Sequence, residues 1–280
     1  MEKKEVAVLG SNGMLATDIR QALAARGYAV LPFCRPDWDI TRTDDVRVAA
    51  ASAPVIVNCA AYTQVDRSES DTDLAHYVNA VATGELGRWA ADHGAYVVHF
   101  GTDHVFDGDQ TRPYAEDDTP CPVNAYGQTK LEGEERLVAS GCDYLILRLE
   151  WTFGCGGENF LSKVLRAAAE HDEIRVVDDQ TGAPTPTVDV SNVVCDLLER
   201  RTTGLYHFAA NAYATRFEIA EFVASTRGLN TRVLPCGSAE FPSVARRPLN
   251  SMFDCSKIDG LLPCGRRHWR DGVREYLRNG

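Results

Sequence analysis

Two side chains that could act together on a carbonyl group are Tyr126 and Lys130, in the segment YGQTK. On a helix, residues four apart lie on the same face. A lysine ammonium beside a tyrosine favours the phenolate, which lowers a phenol pKa that is otherwise ~10. We therefore predict that Lys130 lowers the pKa of Tyr126 and makes it a usable proton donor to a carbonyl oxygen that receives hydride.

A second polar segment, Gly101-Thr102-Asp103, follows an apolar run at residues 95–100 that predicts a strand. In open parallel sheets, ligands bind outside the carboxyl ends of the strands. Thr102 could there hydrogen-bond the same carbonyl oxygen as Tyr126. The predicted catalytic residues are therefore Thr102, Tyr126 and Lys130, and the predicted reaction is a nicotinamide-dependent reduction.

A glycine turn near the N-terminus predicts the cofactor site. An apolar run at residues 6–9 leads into GSNGMLA at residues 10–16, and a helical pattern follows. Glycines permit a tight turn and close approach of a diphosphate, whose charge is favoured by free N–H groups and the helix dipole. The residues predicted to bind it are Gly10, Ser11, Asn12, Gly13, Met14 and Leu15.

The end of the second predicted strand bears on the choice of nicotinamide. NAD-selective sites usually carry an acid there to bind the ribose hydroxyls. This chain has Leu31-Pro32-Phe33-Cys34-Arg35 instead, and Arg35 could pair with a 2′-phosphate. The sequence therefore favours NADPH and leaves NADH open, because a solvated surface arginine is an equally good interpretation of Arg35.

Alternating elements predict the fold class. Short apolar, β-branched runs occupy residues 6–9, 28–33, 54–59, 95–100 and 144–149, and helical patterns occupy 17–26, 73–93 and 125–140. This alternation predicts an α/β protein with a Rossmann-type, doubly wound parallel sheet. Further helices are predicted at 159–170 and 188–200, and a further strand at 205–209.

The predicted domain organisation rests on the point after Trp151 where strands and helices no longer alternate regularly. We predict a dinucleotide-binding domain at residues 1–150, to which a segment at about 185–210 returns. Residues 151–184 and 211–280 are predicted to form a smaller C-terminal substrate-binding lobe.

Composition excludes several classes of protein. The 280 residues are 44% hydrophobic and carry a formal net charge of -11, which argues against a nucleic-acid partner. No apolar run reaches the ~20 residues that span a bilayer, and no signal peptide is evident, so a cytoplasmic enzyme is expected. The nine cysteines are scattered without a CxxC pair, and no metal site is predicted.

Several segments together resemble the dTDP-4-dehydrorhamnose reductase family of extended short-chain dehydrogenases/reductases. They are NCAAYTQVD at 58–66, TDHVFDG at 102–108, NAYGQTKLEGE at 124–134, Asn159-Phe160, GAPT at 182–185 and RPLNS at 247–251. The resemblance covers nearly the whole chain.

This resemblance implies reduction of the C4 ketone of a 6-deoxy-hexose on a nucleoside diphosphate, with dTDP-4-dehydrorhamnose as the substrate best matched. It implies that Tyr126 supplies the proton, that Lys130 tunes it and holds the nicotinamide ribose, and that Thr102 orients the carbonyl. Further cofactor-binding residues implied in this way are Asp39, Ile40, Ala60, Ala61, Tyr62 and Asn79. Some family members bind magnesium at a dimer interface, and Asp18 falls near one such position, but no full ligand set can be assembled.

Predicted substrate contacts combine the resemblance with two departures from it. His104 stands where the family usually has tyrosine, and Leu149-Glu150 stand where it usually has Thr-Ser before the tryptophan. Both departures fall at positions that resemble sugar contacts. The residues predicted to bind the nucleotide sugar are Asp103, His104, Glu150, Trp151, Asn159 and Arg247.

Three alternatives for function stay open. The first is the rhamnose-forming reductase, and the second is a related 4-keto-sugar reductase of natural-product deoxysugar biosynthesis, which the two departures motivate. The third is a non-catalytic regulatory subunit, because the methionine adenosyltransferase β subunit resembles the same family. A homodimer is also left open.

Overall fold

The structure, a computed structural model, describes residues 5–241 and 243–279. The strands are β1 Glu5–Leu9, β2 Ala29–Phe33, β3 Val55–Asn58, β4 Tyr96–Thr102, β5 Asp143–Leu149, β6 Thr152–Phe153, β7 Glu173–Val177, β8 Thr181–Gly182, β9 Thr185–Pro186, β10 Gly204–Phe208, β11 Ala214–Thr215 and β12 Arg232–Cys236. The helices are α1 Met14–Ala25, α2 Thr43–Ser52, α3 Thr72–His76, α4 Ala82–His93, α5 Ala125–Ala139, α6 Phe160–Glu170, α7 Thr187–Glu199, α8 Arg216–Arg227, α9 Ser256–Asp259 and α10 Trp269–Asn279.

A six-stranded parallel sheet in the order β10-β5-β4-β3-β1-β2 forms the centre of the molecule. The order of the strands reverses between β1 and β3, and a doubly wound sheet binds its ligand at this point. The predicted Rossmann-type fold is thereby confirmed. The last sheet strand, β10, pairs with β5 in register from Gly204 with Leu145 to Phe208 with Leu149.

Both faces of this sheet are covered, which explains the near-continuous apolar runs of its strands. On β1, Val6 and Val8 face one hydrophobic cluster and Ala7 and Leu9 face another, and all four are fully buried. Helices α1 and α7 cover the first face. Helices α2, α4 and α5 cover the second.

A third cluster lies outside the sheet, among β6, α6, α8 and α10, with Trp269 and Leu161 almost fully buried. It is the core of the C-terminal part of the chain. The domain boundaries predicted from the sequence stay a prediction, with β10 joining the sheet and this third cluster supporting them.

Several elements differ from the sequence prediction, two of them within the first hundred residues. The predicted helix at 73–93 is interrupted by a π-helical segment, Tyr77–Val81, between α3 and α4. Helix α2 was not predicted, although Val46, Ala49 and Ala50 are spaced to bury one helical face. Its short, alanine-rich pattern carries a weak apolar signal, so packing against the sheet is what stabilises it.

Candidate active site

A cavity of about 950 Å³ runs along the carboxyl ends of the sheet strands. Seventeen of the predicted site residues lie in its wall: Gly10, Asn12, Gly13, Met14, Leu15, Arg35, Asp39, Ile40, Ala60, Ala61, Tyr62, Thr102, Asp103, His104, Tyr126, Lys130 and Trp151. Five predicted residues do not lie in that wall: Ser11, Asn79, Glu150, Asn159 and Arg247.

The glycine turn forms one end of the cavity. Gly10 has a φ of +67°, and a Cβ there would come within 2.9 Å of the Ala60 backbone. Gly13 precedes α1, whose first turn receives no side-chain cap. This backbone cradle and the N–H groups of the first turn of α1 fit a dinucleotide diphosphate. Ser11 lies beneath the turn and is 1% exposed, and its N–H donates to the Phe33 carbonyl at 3.1 Å.

The loop after β3 is held from below by Asn79. Its Oδ1 accepts from the Tyr62 N–H at 2.9 Å, and its Nδ2 donates to the Tyr62 carbonyl at 3.1 Å. Nδ2 also donates to Thr129 Oγ1 at 3.1 Å. Asn79 is buried in the π-helical segment, so its observed contacts support the loop that lines the cavity.

Arg35 and Asp39 lie together in the cavity wall beyond β2. Burial raises the pKa of Asp39, but hydrogen bonds from Thr41 and the charges of Arg35 and Arg42 outweigh it and leave that pKa lowered. Asp39 is therefore an ionised hydrogen-bond acceptor, four residues after the exposed guanidinium of Arg35. The wall here offers a partner for ribose hydroxyls as well as one for a 2′-phosphate.

Tyr126 lies in the first turn of α5, which begins after its cap residue, Asn124. Burial raises the pKa of Tyr126 to about 12, while a hydrogen bond with Thr102 lowers it and the charge of Asp103 raises it. The prediction that Lys130 lowers this pKa is wrong, because burial dominates. A phenol with a raised pKa still holds its proton at neutral pH and can donate it.

Lys130 lies one turn further along α5 and is 3% exposed. Its Nζ donates to the Phe100 carbonyl at 2.6 Å and lies 3.4 Å from His99 Nε2. Burial lowers the pKa of Lys130 to about 8. The lysine is therefore anchored to β4 and can exchange its proton near neutral pH.

His104 packs edge-on against Tyr126, with ring centroids 5.4 Å apart. Its Nδ1 lies 2.9 Å from Asn124 Nδ2, while Asn124 Oδ1 accepts from the Gly127 N–H. This fixes the amide nitrogen as the donor to His104. Burial lowers the pKa of His104, so the ring is neutral and carries its proton on Nε2. His104 is thus a hydrogen-bond donor in the cavity wall.

The other end of the cavity contains a residue that sequence reasoning missed, Arg216. Its guanidinium carbon lies 3.6 Å from the centroid of the Trp151 ring and 4.8 Å from that of Phe160. Trp151 has a φ of 43°, and a Cβ on Gly182 would come within 2.8 Å of its ring. The indole is therefore stacked between Gly182 and a guanidinium that lines the cavity.

No carboxylate in residues 5–241 and 243–279 forms an ion pair with Arg216. Burial lowers its pKa to about 10, against the more distant charge of Asp103. Stacked guanidinium groups keep their donors free for anions. The only sequence signal was the capping box of Thr215 and Glu218, which places Arg216 at the first position of α8.

Three predicted substrate residues have their side chains engaged elsewhere. Arg247 forms an ion pair with Asp66 at 2.8 Å. Asn159 caps α6 and donates to the Gly154 carbonyl at 3.0 Å. Glu150 is fully buried, and its Oε1 accepts from the Ala183 N–H at 2.8 Å. Their roles in substrate binding stay predictions, and such roles would be indirect in this arrangement.

Metal and membrane features are limited. In the described residues, no group of three or more His, Cys, Asp or Glu side chains could hold a metal ion. Asp18 accepts a hydrogen bond from Thr187 Oγ1 at 2.5 Å. No helix in the part of the chain that the structure describes is long and apolar enough to cross a bilayer.

Comparison with known proteins adds an independent result. The family model "RmlD substrate binding domain" matches residues 4–280. A dTDP-4-dehydrorhamnose reductase from Burkholderia thailandensis is 37% identical over 294 residues, covering 98% of each chain. One from Mycolicibacterium smegmatis is 36% identical over 280 residues, covering 98% of this chain and 85% of the relative.

A solved structure agrees. A dTDP-4-dehydrorhamnose reductase from Bacillus anthracis, in complex with NADP, superposes with a TM-score of 0.95 at 31% identity over 100% of both chains. The resemblance read from the motifs is confirmed, and the chain belongs to the dTDP-4-dehydrorhamnose reductase family.

Proposed function

We propose that the protein reduces the C4 ketone of a nucleotide-linked 6-deoxy sugar with NADPH, and that dTDP-4-dehydrorhamnose is its substrate. The observation that carries this proposal is that Thr102, Tyr126 and Lys130 share one cavity with the glycine turn. Relatives named for this reaction, and a structural neighbour that contains NADP, support it. The same relatives and intact triad argue against a non-catalytic subunit.

The cofactor end of the cavity supports a nicotinamide dinucleotide. The Gly10 cradle and the uncapped start of α1 would hold its diphosphate, and Arg35 a 2′-phosphate. When bound, NADPH supplies the hydride. Arg35 favours NADPH over NADH, while Asp39, also in the wall, keeps NADH usable.

The chain's own residues provide the proton and the polarisation of the ketone. Tyr126, whose raised pKa keeps the phenol protonated at neutral pH, donates its proton to the ketone oxygen as negative charge develops there. Thr102, which is 5% exposed and in the cavity wall, hydrogen-bonds the same oxygen and orients it. The Thr102 hydroxyl, which donates to Asp103 Oδ1 at 3.2 Å in this structure, would turn to this oxygen, and two donors on one oxygen stabilise the alkoxide-like transition state.

At the sugar end, we propose that Arg216 binds anionic oxygen atoms of the substrate. A guanidinium that forms no ion pair with the described part of the chain, fixed on an aromatic face in a cavity wall, suits a diphosphate. Arg247 is less suited to that role, because Asp66 already neutralises it through two hydrogen bonds, at 3.0 Å and 2.8 Å.

The experiment is a turnover assay with a panel of nucleotide-linked 4-keto sugars, in which the rate is measured as NADPH oxidation. We expect the highest kcat/KM for dTDP-4-dehydrorhamnose, and a kcat/KM with NADPH at least equal to that with NADH. No turnover of any panel member by protein that binds NADPH would contradict the proposal.

A second candidate, reduction of a related 4-keto sugar, is favoured by His104. Its Nε2–H donor is in the cavity wall where the family usually has tyrosine. A site that hydrogen-bonds hydroxyls discriminates strongly between sugars. If the preferred substrate is another sugar, His104→Tyr should raise kcat/KM for dTDP-4-dehydrorhamnose, and adding Glu150→Ser should increase that gain. A wild type fully active on it, with no gain in either variant, would exclude this candidate.

A further inference from the structure

His99 on β4 lies between two groups of the cavity wall. The sheet register pairs it with Asn58, at the end of β3. Its Nδ1 is 3.2 Å from Asn58 Nδ2, and its Nε2 is 3.4 Å from Lys130 Nζ. The ring is 1% exposed, so these two neighbours decide where its proton resides.

The orientation of the Asn58 amide determines the tautomer of His99. Asn58 Oδ1 accepts from the Ala60 N–H at 3.2 Å, and the opposite orientation would place an amide N–H against that donor. Asn58 Nδ2 therefore donates to His99 Nδ1. Burial, and then the charge of Lys130, lower the pKa of His99 well below its ordinary value, so the ring is neutral. A neutral ring that accepts at Nδ1 carries its proton on Nε2.

This tautomer aims an N–H donor at Lys130. An ammonium has three donors and no acceptor, so it would oppose the His99 N–H, whereas an amine accepts it through its lone pair. The Lys130 Nζ also donates to the Phe100 carbonyl, which both forms can do. The arrangement thus favours the amine relative to the ammonium.

Other groups facing Lys130 act in the opposite direction or are neutralised. The charge of Glu134, one turn further on α5, and that of a Cys59 thiolate raise the pKa of Lys130. Glu134 is paired with Arg148 of β5 at 2.7 Å, and burial raises the pKa of Cys59 so that it stays a thiol. Tyr126, on the same helix face, is a neutral phenol at neutral pH.

We propose that His99 is a positioning residue whose Nε2–H stabilises the amine form of Lys130 and so lets Lys130 return a proton to Tyr126 after each turnover. The inference rests on the proposed ketone reduction.

The protons balance in this sequence. The Tyr126 O–H bond breaks and an O–H bond forms on the substrate oxygen, which leaves a phenolate. An N–H bond of Lys130 then breaks, the proton passes through solvent in the cavity that both residues line, and the Tyr126 O–H bond re-forms, so Lys130 becomes an amine that accepts the His99 N–H. Solvent in the cavity, whose wall includes Lys130, returns the proton to the amine.

The first test is independent of any substrate. Long-range ¹H–¹⁵N spectra of the ¹⁵N-labelled protein distinguish the two neutral tautomers of histidine from imidazolium, and the His99 signals are those missing from His99→Gln. We expect the neutral Nε2–H tautomer across the neutral pH range. An imidazolium, or a proton on Nδ1, would overturn the proposal and leave the proposed reduction standing.

The second test is the pH profile of kcat. In wild type, kcat should fall as pH rises through about 8, where Lys130 loses its proton. His99→Phe removes the donor to the amine, so the midpoint should move up by about one pH unit and kcat at neutral pH should fall by roughly tenfold, with KM little changed. His99→Gln keeps an N–H donor and should restore both values.

His207 provides a matched control, since it is another fully buried histidine with its Nε2 3.5 Å from a cation, Arg148. It lies on β10 and outside the cavity wall. His207→Phe should lower stability without moving the midpoint. A wild-type profile in His99→Phe, or an equal shift in His207→Phe, would overturn the proposal.

Discussion

The two ends of the cavity are built in different ways. At the cofactor end, the wall is largely backbone, because Gly10 and Ala60 approach so closely that a Cβ between them has no room. At the sugar end, the wall is a stack of side chains, with Trp151 held between Gly182 and Arg216. A backbone cradle accepts any dinucleotide diphosphate, whereas a side-chain stack can change with the sugar. Variants at the two ends should therefore separate cofactor binding from substrate binding.

The largest effect is expected at Tyr126, where the two ends meet. Tyr126→Phe removes the proton donor and should lower kcat by ~10²-fold or more. Cofactor affinity should stay near the wild-type value, because the glycine turn is untouched. The measurement is kcat by steady-state kinetics together with NADPH titration by fluorescence. Near-normal turnover in this variant would remove Tyr126 from the reaction.

Gly10→Ala should affect only the cofactor end. The left-handed φ costs an alanine ~1–2 kcal/mol, and the added Cβ meets the Ala60 backbone, so KM for NADPH should rise by about tenfold or more. KM for the sugar should change little. Gly27→Ala is the matched control, since Gly27 has a φ of +83° and no atom of the described residues comes within 4 Å of the added Cβ. Equal NADPH affinities in the two variants would mean that strain, and not the cradle, is responsible.

Arg216→Gln should affect only the sugar end. Losing charge-assisted hydrogen bonds of ~1.5–3 kcal/mol should raise KM for the nucleotide sugar by about tenfold or more, with KM for NADPH unchanged. Arg47→Gln is the control, because Arg47 also stacks on a tryptophan, Trp89, at 4.5 Å, but outside the cavity wall. Titration with the free nucleoside diphosphate then decides which part of the substrate Arg216 binds. Unweakened nucleotide binding in Arg216→Gln would assign Arg216 to the hexose.

The smallest effect concerns Glu150, whose Oε2 is buried without a hydrogen-bond partner in the described residues. Burial raises its pKa well above its ordinary 4.5. The folded state thus keeps a proton that the unfolded state loses above pH 4.5, so this group lowers stability as pH rises from there towards the folded-state pKa. Glu150→Gln removes that dependence.

We therefore expect Glu150→Gln to raise Tm by about 2–4 °C at mildly alkaline pH and by little at acid pH. Thermal unfolding measured at several pH values tests this, with the exposed Glu170→Gln as control. A Tm difference that is the same at every pH would show that the carboxyl titrates normally.

The contrast between the two ends also explains what could be predicted from the sequence. The glycine turn, the strand ends and the Tyr126–Lys130 pair are local patterns, and the structure places all of them in one cavity wall. Arg216 is different, because its stack depends on two residues distant in the sequence. These are Trp151, whose backbone is in the left-handed region, and Gly182, which lies more than thirty residues before Arg216. No short motif encodes such a stack.

The extent of burial is another property that the spacing of residues in the sequence could not predict. The interval between Tyr126 and Lys130 indicates a shared helix face, but the sign of the Tyr126 pKa shift depends on how much of the fold surrounds it. Glu150 likewise reads as a cavity residue beside Trp151, whereas the structure buries it completely against Ala183. In both cases the sequence places a polar group beside the site without showing how much of the fold surrounds that group.

The most direct test of the central claim follows a label into the product. The protein is incubated with dTDP-4-dehydrorhamnose and NADPH deuterated at C4 of the nicotinamide on the transferred face, and the sugar is analysed by NMR. We predict one deuterium at C4 of a dTDP-6-deoxyhexose, formed at least ~10²-fold more slowly by Tyr126→Phe. An unlabelled product, or an unreacted sugar in the presence of protein that binds both ligands, would contradict the claim that this cavity reduces the C4 ketone.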